Sequence, residues 1–229
     1  MPWGAITIDQ IEPSSWLVVA AGVAALAAVV LDGVWRWSRS VVTIVHEGGH
    51  AAAALLTGRR LTGIRLHSDT SGLTLSVGRP SGPGMVVTAA AGYLSPSLVG
   101  LAGVALLAAD QVTVMLWGAA AVLAGMLVMI RNAYGALVLV VAGGAVVAVS
   151  LYAAPDVQAA FGYAVTWFLL LGAVRPVHEL WRQRRHHEGR YSDAAQLAHL
   201  THLHTSVWVG FFWLATVGAL AGGAVLLLT

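Results

Sequence analysis

The chain has 229 residues, 58% of them hydrophobic and only 10% charged, with a formal net charge of +2. That is too apolar and too sparsely charged for a soluble globular domain, so the bilayer is its solvent, and no extramembrane stretch is long enough for a second core. All 12 cationic side chains are arginines whose clustering in particular loops calls for no nucleic acid, and the absence of cysteine leaves His, Asp and Glu as the strong metal donors.

The first fifteen residues carry Asp9 and Glu12 and no basic residue, unlike the positive start of a cleavable signal peptide. The first apolar segment is therefore expected to be retained. Spans of crossing or near-crossing length are read at 16–34, 41–57, 84–108, 112–130, 134–152, 158–174 and 205–228. They predict an all-α polytopic membrane protein of about six to seven transmembrane helices, one domain over residues 1–229. The second span is the weakest by hydropathy, because it holds His46, Glu47 and His50, and ionisable groups at membrane depth are costly.

Between 59 and 79 the pattern changes. Leu61, Ile64 and Leu66, then Ser68-Asp69-Thr70-Ser71-Gly72, then Leu73, Leu75 and Val77 read as two short strands about a turn, a β-hairpin. The segment from Met85 contains Gly92 and Pro96, which predict a kinked or interrupted helix there. Residues 175–192 are polar and basic and read as a cytoplasmic loop, followed by a short amphipathic stretch over 194–203.

Charge asymmetry gives an orientation. With the hairpin arginines Arg59, Arg60, Arg65 and Arg79 in the cytoplasm, Asp110 falls outside, Arg131 inside, Asp156 outside and the 175–192 loop inside. Counting backward, however, places Arg36 and Arg39 outside and the acidic N-terminus inside. Either the first two spans are not both full crossings, or local charge is overruled there.

In His46-Glu47-Gly48-Gly49-His50 the histidines are four apart, so on a helix both imidazoles leave one face and reach one metal ion. Glu47 beside them can take a proton from a water activated by the metal and pass it to a leaving amine. Gly48 and Gly49 are expected to leave space above the metal for a substrate backbone. A catalytic zinc site takes three protein ligands and keeps one position open, so a third ligand must come from Asp69, Glu179, Asp193 or the remaining histidines. Asp69 has an ordinary reason to sit in a turn. Glu179 follows His178 at the end of a span, where either can meet Arg182. Ser192 and Asp193 also suit a helix N-cap and first-turn acid. His199, His202 and His204 cluster in sequence but read as interfacial residues.

Val45-His46-Glu47-Gly48-Gly49-His50-Ala51 in an apolar helix is followed by Gly58-Arg59-Arg60 and the hairpin. Ala90-Ala91-Gly92-Tyr93-Leu94-Ser95-Pro96 comes next, and Ser192-Asp193-Ala194-Ala195-Gln196-Leu197-Ala198 precedes the last span. In this order the chain resembles the site-2 protease family of intramembrane zinc metalloproteases, in particular its short bacterial M50B-like branch. The resemblance implies Zn2+ held by His46, His50 and Asp193, with Glu47 as general base. It further implies a transmembrane or membrane-adjacent protein segment as substrate, cleaved near the cytoplasmic side, and a multi-pass protein of the plasma membrane. The hairpin resembles the element that presents an extended substrate by strand addition. Better-known members carry their aspartate in an Asn-Pro-Asp-Gly or Leu-Asp-Gly context, whereas Asp193 stands in Ser-Asp-Ala. Without a PDZ-like filter, selectivity is expected from the membrane domain or its partners. Two other functions fit the same residues: a non-proteolytic zinc-binding membrane scaffold or regulator, and an ion or solute carrier.

Overall fold

The computed structural model describes residues 15–185 and 192–229, so the acidic N-terminal residues and most of the arginine-histidine run before Ser192 lie outside the described residues. The elements are α1 (Ser15–Val30), α2 (Asp32–Leu56), β1 (Arg60–Leu66), β2 (Gly72–Val77), α3 (Pro83–Ala108), α4 (Val112–Met129), α5 (Ala133–Tyr152), α6 (Pro155–Arg185), α7 (Asp193–Thr201) and α8 (Thr205–Leu228). Helices α3, α4, α5, α6 and α8 are each long and apolar enough to cross a bilayer. The protein is an all-α polytopic membrane protein with one small two-stranded sheet.

The beginning of the chain departs from the expected pair of crossings. Helices α1 and α2 meet at 102° across Leu31 and reach the length and apolarity of a span only when taken together, which makes six spans at most among the described residues. The reason is local: α1 has 16 residues, short of the ~20 that a crossing needs. The break frees backbone carbonyls, and Arg175 satisfies them. Its guanidinium donates to the carbonyls of Val29 and Val30 and pairs with the Asp32 carboxylate. Arg36 and Arg39 are thus inside α2 rather than in a loop between two spans.

Of the kink or interruption expected at Gly92 and Pro96, the interruption is absent, because α3 runs helical through Pro96. One further boundary changes. The basic segment expected as a loop from residue 175 begins as helix, because α6 continues through Pro176 to Arg185. What draws it inward is Glu179, which pairs with Arg39 at 3.3 Å and with Arg175 at 3.2 Å and accepts from Trp35 Nε1 at 3.1 Å. Glu179 therefore turns into the fold, and its recorded partners do not include Arg182. Arg175 also lies 4.9 Å over the Trp35 ring.

Helix α2 ends where the sequence supplies a stop. Gly58 takes φ +72°, Arg59 N donates to Ala54 O at 2.8 Å and Gly58 N to Leu55 O at 3.1 Å, the paired bonds of a Schellman turn. That turn launches the antiparallel hairpin, in register Ile64 with Thr74 and Leu66 with Gly72. Ile64 and Leu66 are buried with Ile44, Ala51, Met126 and Leu139, which seats β1 on α2, α4 and α5. The outer edge of β1 is covered as well. Arg131 N donates to Ile64 O at 2.8 Å, and the Asn132 amide donates to Leu66 O at 2.6 Å while accepting from Leu66 N at 3.2 Å. The hairpin and Arg131 therefore share one end of the bundle, as the charge alternation requires. At that same end α7 buries Ala194 and Leu197 among Ala89, Val177, Leu180 and Phe212. Ser192 caps it, accepting from Ala195 N at 3.3 Å.

Candidate metal centre

Two elements bring three ligand atoms together. On α2, His46 and His50 stand one turn apart with their Nε2 atoms 3.1 Å from each other. From the first residue of α7, Asp193 Oδ2 lies 3.1 Å from His46 Nε2 and 3.2 Å from His50 Nε2. Among the described residues this is the one group of His, Asp or Glu side chains that converges on a common point.

The chemistry of the triangle fits a metal ion. His50 Nδ1 is 2.7 Å from the carbonyl of Thr88, which only accepts, so Nδ1 carries the proton and the Nε2 of the neutral ring presents a lone pair. Acceptor atoms at these separations repel unless a cation lies among them. A single proton bridges one pair; a metal ion serves all three contacts. Metal–ligand bonds of about 2.0–2.2 Å place neighbouring corners of a tetrahedron about 3.3–3.6 Å apart, close to the observed edges. Space for an ion is kept by Gly92 on α3, where a Cβ would come within 2.6 Å of His46 Nε2. The three side chains are 12–21% exposed, partly shielded yet open to one cavity.

That cavity, of about 620 Å³, runs along α2 between Arg39 and Arg59 and is walled by Tyr93, Asp193 and residues 70–76. The β2 strand lines it along almost its whole length, whereas β1 contributes nothing to the wall. The second edge of β2 carries no ladder partner among the described residues.

Glu47 is 4% exposed and lies under β2. Thr74 Oγ1 donates to Glu47 Oε2 at 2.6 Å, with the Glu47 carbonyl oxygen 3.1 Å from the same hydroxyl, while a Cβ on Gly72 would strike the carboxylate, 2.6 Å from its Cδ. Gly48 and Gly49 do not open space for a substrate. Gly48 faces Met126 Sδ, 3.1 Å from where its Cβ would stand, and Gly49 packs on Ser95 and the Ala91 carbonyl of α3. Their missing side chains are spent on helix contact.

The other candidates for third ligand go elsewhere. Asp69 sits in the hairpin turn, accepting from Ser71 N at 2.9 Å and Ser71 Oγ at 2.7 Å, bonds that hold its carboxyl below the ordinary range. Glu179 belongs to the arginine network, and the His178 ring lies beside Trp181. His199, His202 and His204 do not join a metal group, and His204 Nδ1 caps α8 at Ser206.

Two pocket residues escaped the sequence reading. Tyr93 presents its ring edge-on to His46 at 5.0 Å and stacks on Phe212 at 5.0 Å; nothing in local sequence distinguishes it from an interfacial tyrosine. Thr74 was legible in principle, since alternation with exposed Leu73 and Leu75 turns it to the opposite, inward face.

A family model described as Peptidase M50B-like matches residues 19–223, which takes in both histidines, Glu47, the hairpin and Asp193. No curated protein and no solved structure matches the chain.

Proposed function

Because the chain belongs to the M50B-like peptidases of the site-2 protease family, we propose that it is an intramembrane zinc endopeptidase. His46, His50 and Asp193 hold the ion and Glu47 serves as general base. The observation that carries this reading is the triangle of ligand atoms, with edges of 3.1–3.2 Å, two of whose corners stand on the helix that also bears the glutamate.

Zinc bound there supplies a Lewis acid that polarises the scissile carbonyl and makes water acidic enough to attack near neutral pH. Glu47 takes the proton of the attacking water as the new C–O bond forms. It returns that proton to the amide nitrogen as the C–N bond breaks, so that an amine leaves. Buried under β2, Glu47 exchanges little with bulk water, which suits proton transfer within a bound complex. The open edge of β2 takes the substrate as an added strand, its backbone groups satisfied at a depth where water is scarce. A transmembrane segment must unwind for that, since a helix has no free backbone groups to offer an edge.

We assign the site to the cytoplasmic side of the plasma membrane. Supporting this, Arg59, Arg60, Arg65, Arg79 and Arg131 gather at the hairpin end, while Asp110 between α3 and α4 and Asp156 in the first turn of α6 lie at the opposite end. With α1 and α2 taken as one broken span, Arg36 and Arg39 stand inside a helix and no longer form an outer loop that opposes the charge rule.

The test uses the full chain in membranes. Glu47→Gln is expected to keep one zinc per chain, by elemental mass spectrometry, and to trap membrane proteins that wild type then cleaves. Zinc bound at that stoichiometry, with every trapped partner left intact by wild type, would reject proteolysis in favour of a zinc-binding scaffold.

A further inference from the structure

The catalytic glutamate of this protein does not stand alone on its helix. Glu47 is deep within α2, but the groups that meet its carboxylate come from the hairpin, Thr74 lying 27 residues on in sequence. Thr74 Oγ1 donates to Oε2 at 2.6 Å, a short hydroxyl hydrogen bond. The same Thr74 oxygen lies 3.1 Å from the Glu47 main-chain carbonyl, so the hydroxyl sits against both the side chain and the backbone of Glu47. Gly72, two residues earlier on the same face of β2, lies so close that any side chain would displace the carboxylate. Side-chain rotation of Glu47 is thereby limited on two sides.

The strand that grips Glu47 is itself fixed. Its partner β1 is held by the Asn132 amide and by Arg131 N, and the turn is tied to α2 through Thr43 Oγ1, which donates to Thr70 O at 2.9 Å. A mobile hairpin would blur the aim of the glutamate; this one is anchored along β1 and at its turn. The face of β2 turned to the base carries Gly72, Thr74 and Ser76, while Leu73, Leu75 and Val77 are exposed.

We propose that Thr74 is a positioning residue for the general base: through its hydroxyl the β2 strand, and not α2 alone, sets the direction in which the Glu47 carboxylate points. The proposal rests on the proteolytic reading for its kinetic consequence but not for the contact itself. It makes the hairpin part of the catalytic machinery as well as a cradle for the substrate. A substrate strand added to the open edge of β2 then docks on the same element that aims the base, so scissile bond and base share one frame.

The experiment compares full-length Thr74→Val, which keeps shape and removes the donor, with Thr74→Ser, which restores it. Turnover of fluorescein-labelled casein in detergent with one zinc per chain is read against wild type and Glu47→Gln. Thr74→Val is expected to lower kcat about ten- to a hundredfold with KM and zinc content unchanged, the loss typical of a misaimed catalytic group, and Thr74→Ser to recover most of it. A second measurement needs no turnover. In chains carrying 13C-glutamate, the carboxylate stretch removed by Glu47→Gln is expected to move in Thr74→Val and to return in Thr74→Ser. A band that stays in place in Thr74→Val overturns the proposal, and so does kcat that is unchanged or raised. Wild type that hydrolyses nothing above the Glu47→Gln background, with the band moving as described, rejects the proteolytic reading and leaves Thr74 holding Glu47 in a protein without that activity.

Discussion

A methyl group at position 92 has nowhere to go. Built on the α3 backbone, its carbon falls 2.6 Å from His46 Nε2 and 2.6 Å from His50 Cε1, where carbon contacts settle at about 3.5–4.0 Å. Neither neighbour yields easily. His50 is tethered through Nδ1 to Thr88 O at 2.7 Å, and the His46 ring is backed edge-on by Tyr93 at 5.0 Å. Nor can the helices slide, because Gly49 of α2 already packs against the Ala91 carbonyl of α3. Gly92→Ala must therefore push the imidazoles apart or part the two helices. Overpacking of this kind costs about 1–3 kcal/mol, and if it falls on the site it weakens zinc binding about 5- to 150-fold. The assay is a competition titration with a chromogenic chelator on the full-length protein in detergent. Gly118→Ala is the control, since no atom lies within 4 Å of the added carbon in α4, and it should leave the affinity where it was. Wild-type affinity in Gly92→Ala would refute the reasoning that α3 shapes the space between the histidines.

Asp193→Ala removes one corner of the triangle but not the seat of α7, which rests on Ala194 and Leu197. Zinc affinity should fall by several orders of magnitude while the melting temperature of the metal-free protein stays within a few degrees; equal zinc affinity would exclude Asp193 as a ligand. Asp69→Ala should leave zinc content and cleavage unchanged and act only on the hairpin turn. Because the folded-state pKa of Asp69 is depressed by Ser71, its contribution is present above the usual aspartate range and is lost as pH falls through and below about 4. Protease nicking near residue 69 should then rise at acid pH in wild type, with no such pH dependence in Asp69→Ala. Glu179→Gln removes the negative charge shared by Arg39 and Arg175 and turns one of the two acceptor oxygens that serve Arg39, Arg175 and Trp35 into a donor, which should cost about 1–3 kcal/mol, with half-exposed members of the network contributing least. A thermal unfolding midpoint equal to wild type would show the network to be dispensable.

Hydropathy located α3, α4, α5 and α8 within a few residues because each is apolar through its length, so propensity, burial and bilayer all agree. It failed where charge is internally satisfied. Arg36 and Arg39 look like a loop to any scale that counts arginine as an exit from the membrane, yet Arg39 meets Glu179 and the helix runs through. The same blindness cut α6 short at 174, because the acceptors of Arg175 lie at Val29 and Asp32, more than 140 positions away. The hairpin was legible from alternation alone, but its anchoring by Asn132 was not, since an asparagine opening a helix reads as an ordinary cap. At Ser192 and Asp193 the sequence offers two compatible readings, a helix cap and a metal ligand. Both hold in the structure: Ser192 caps α7, and Asp193, as its first residue, reaches the histidines.

The least hydrophobic helix is the one that organises the rest, and its polarity follows a rule. Arg39, Thr43, His46, Glu47 and His50 fall at spacings of three, four or one, which on an α-helix makes a single stripe. Each turn of that stripe engages a different element: Arg39 the Glu179 of α6, Thr43 the turn carbonyl of Thr70, Glu47 the Thr74 of β2, His50 the Thr88 carbonyl of α3, and the histidine pair the Asp193 of α7. A stripe of leucines would hold the same neighbours by burial, but it would not fix their rotation, because apolar contact is indifferent to direction and hydrogen bonds are not. Bilayer cost explains why the stripe is fully engaged: an unpaired polar group at that depth is expensive, so every member needs a partner from outside α2. The consequence is measurable one turn at a time. Thr43→Val deletes the 2.9 Å tie to the hairpin turn and leaves the ligand triangle and the Thr74 contact in place. It should therefore speed amide exchange at residues 68–71 with zinc affinity unchanged, whereas Thr74→Val should leave exchange in the turn unchanged and lower turnover. If Thr43→Val weakened zinc binding as strongly as Gly92→Ala, the stripe would be one cooperative unit, and assigning each turn its own partner would be mistaken.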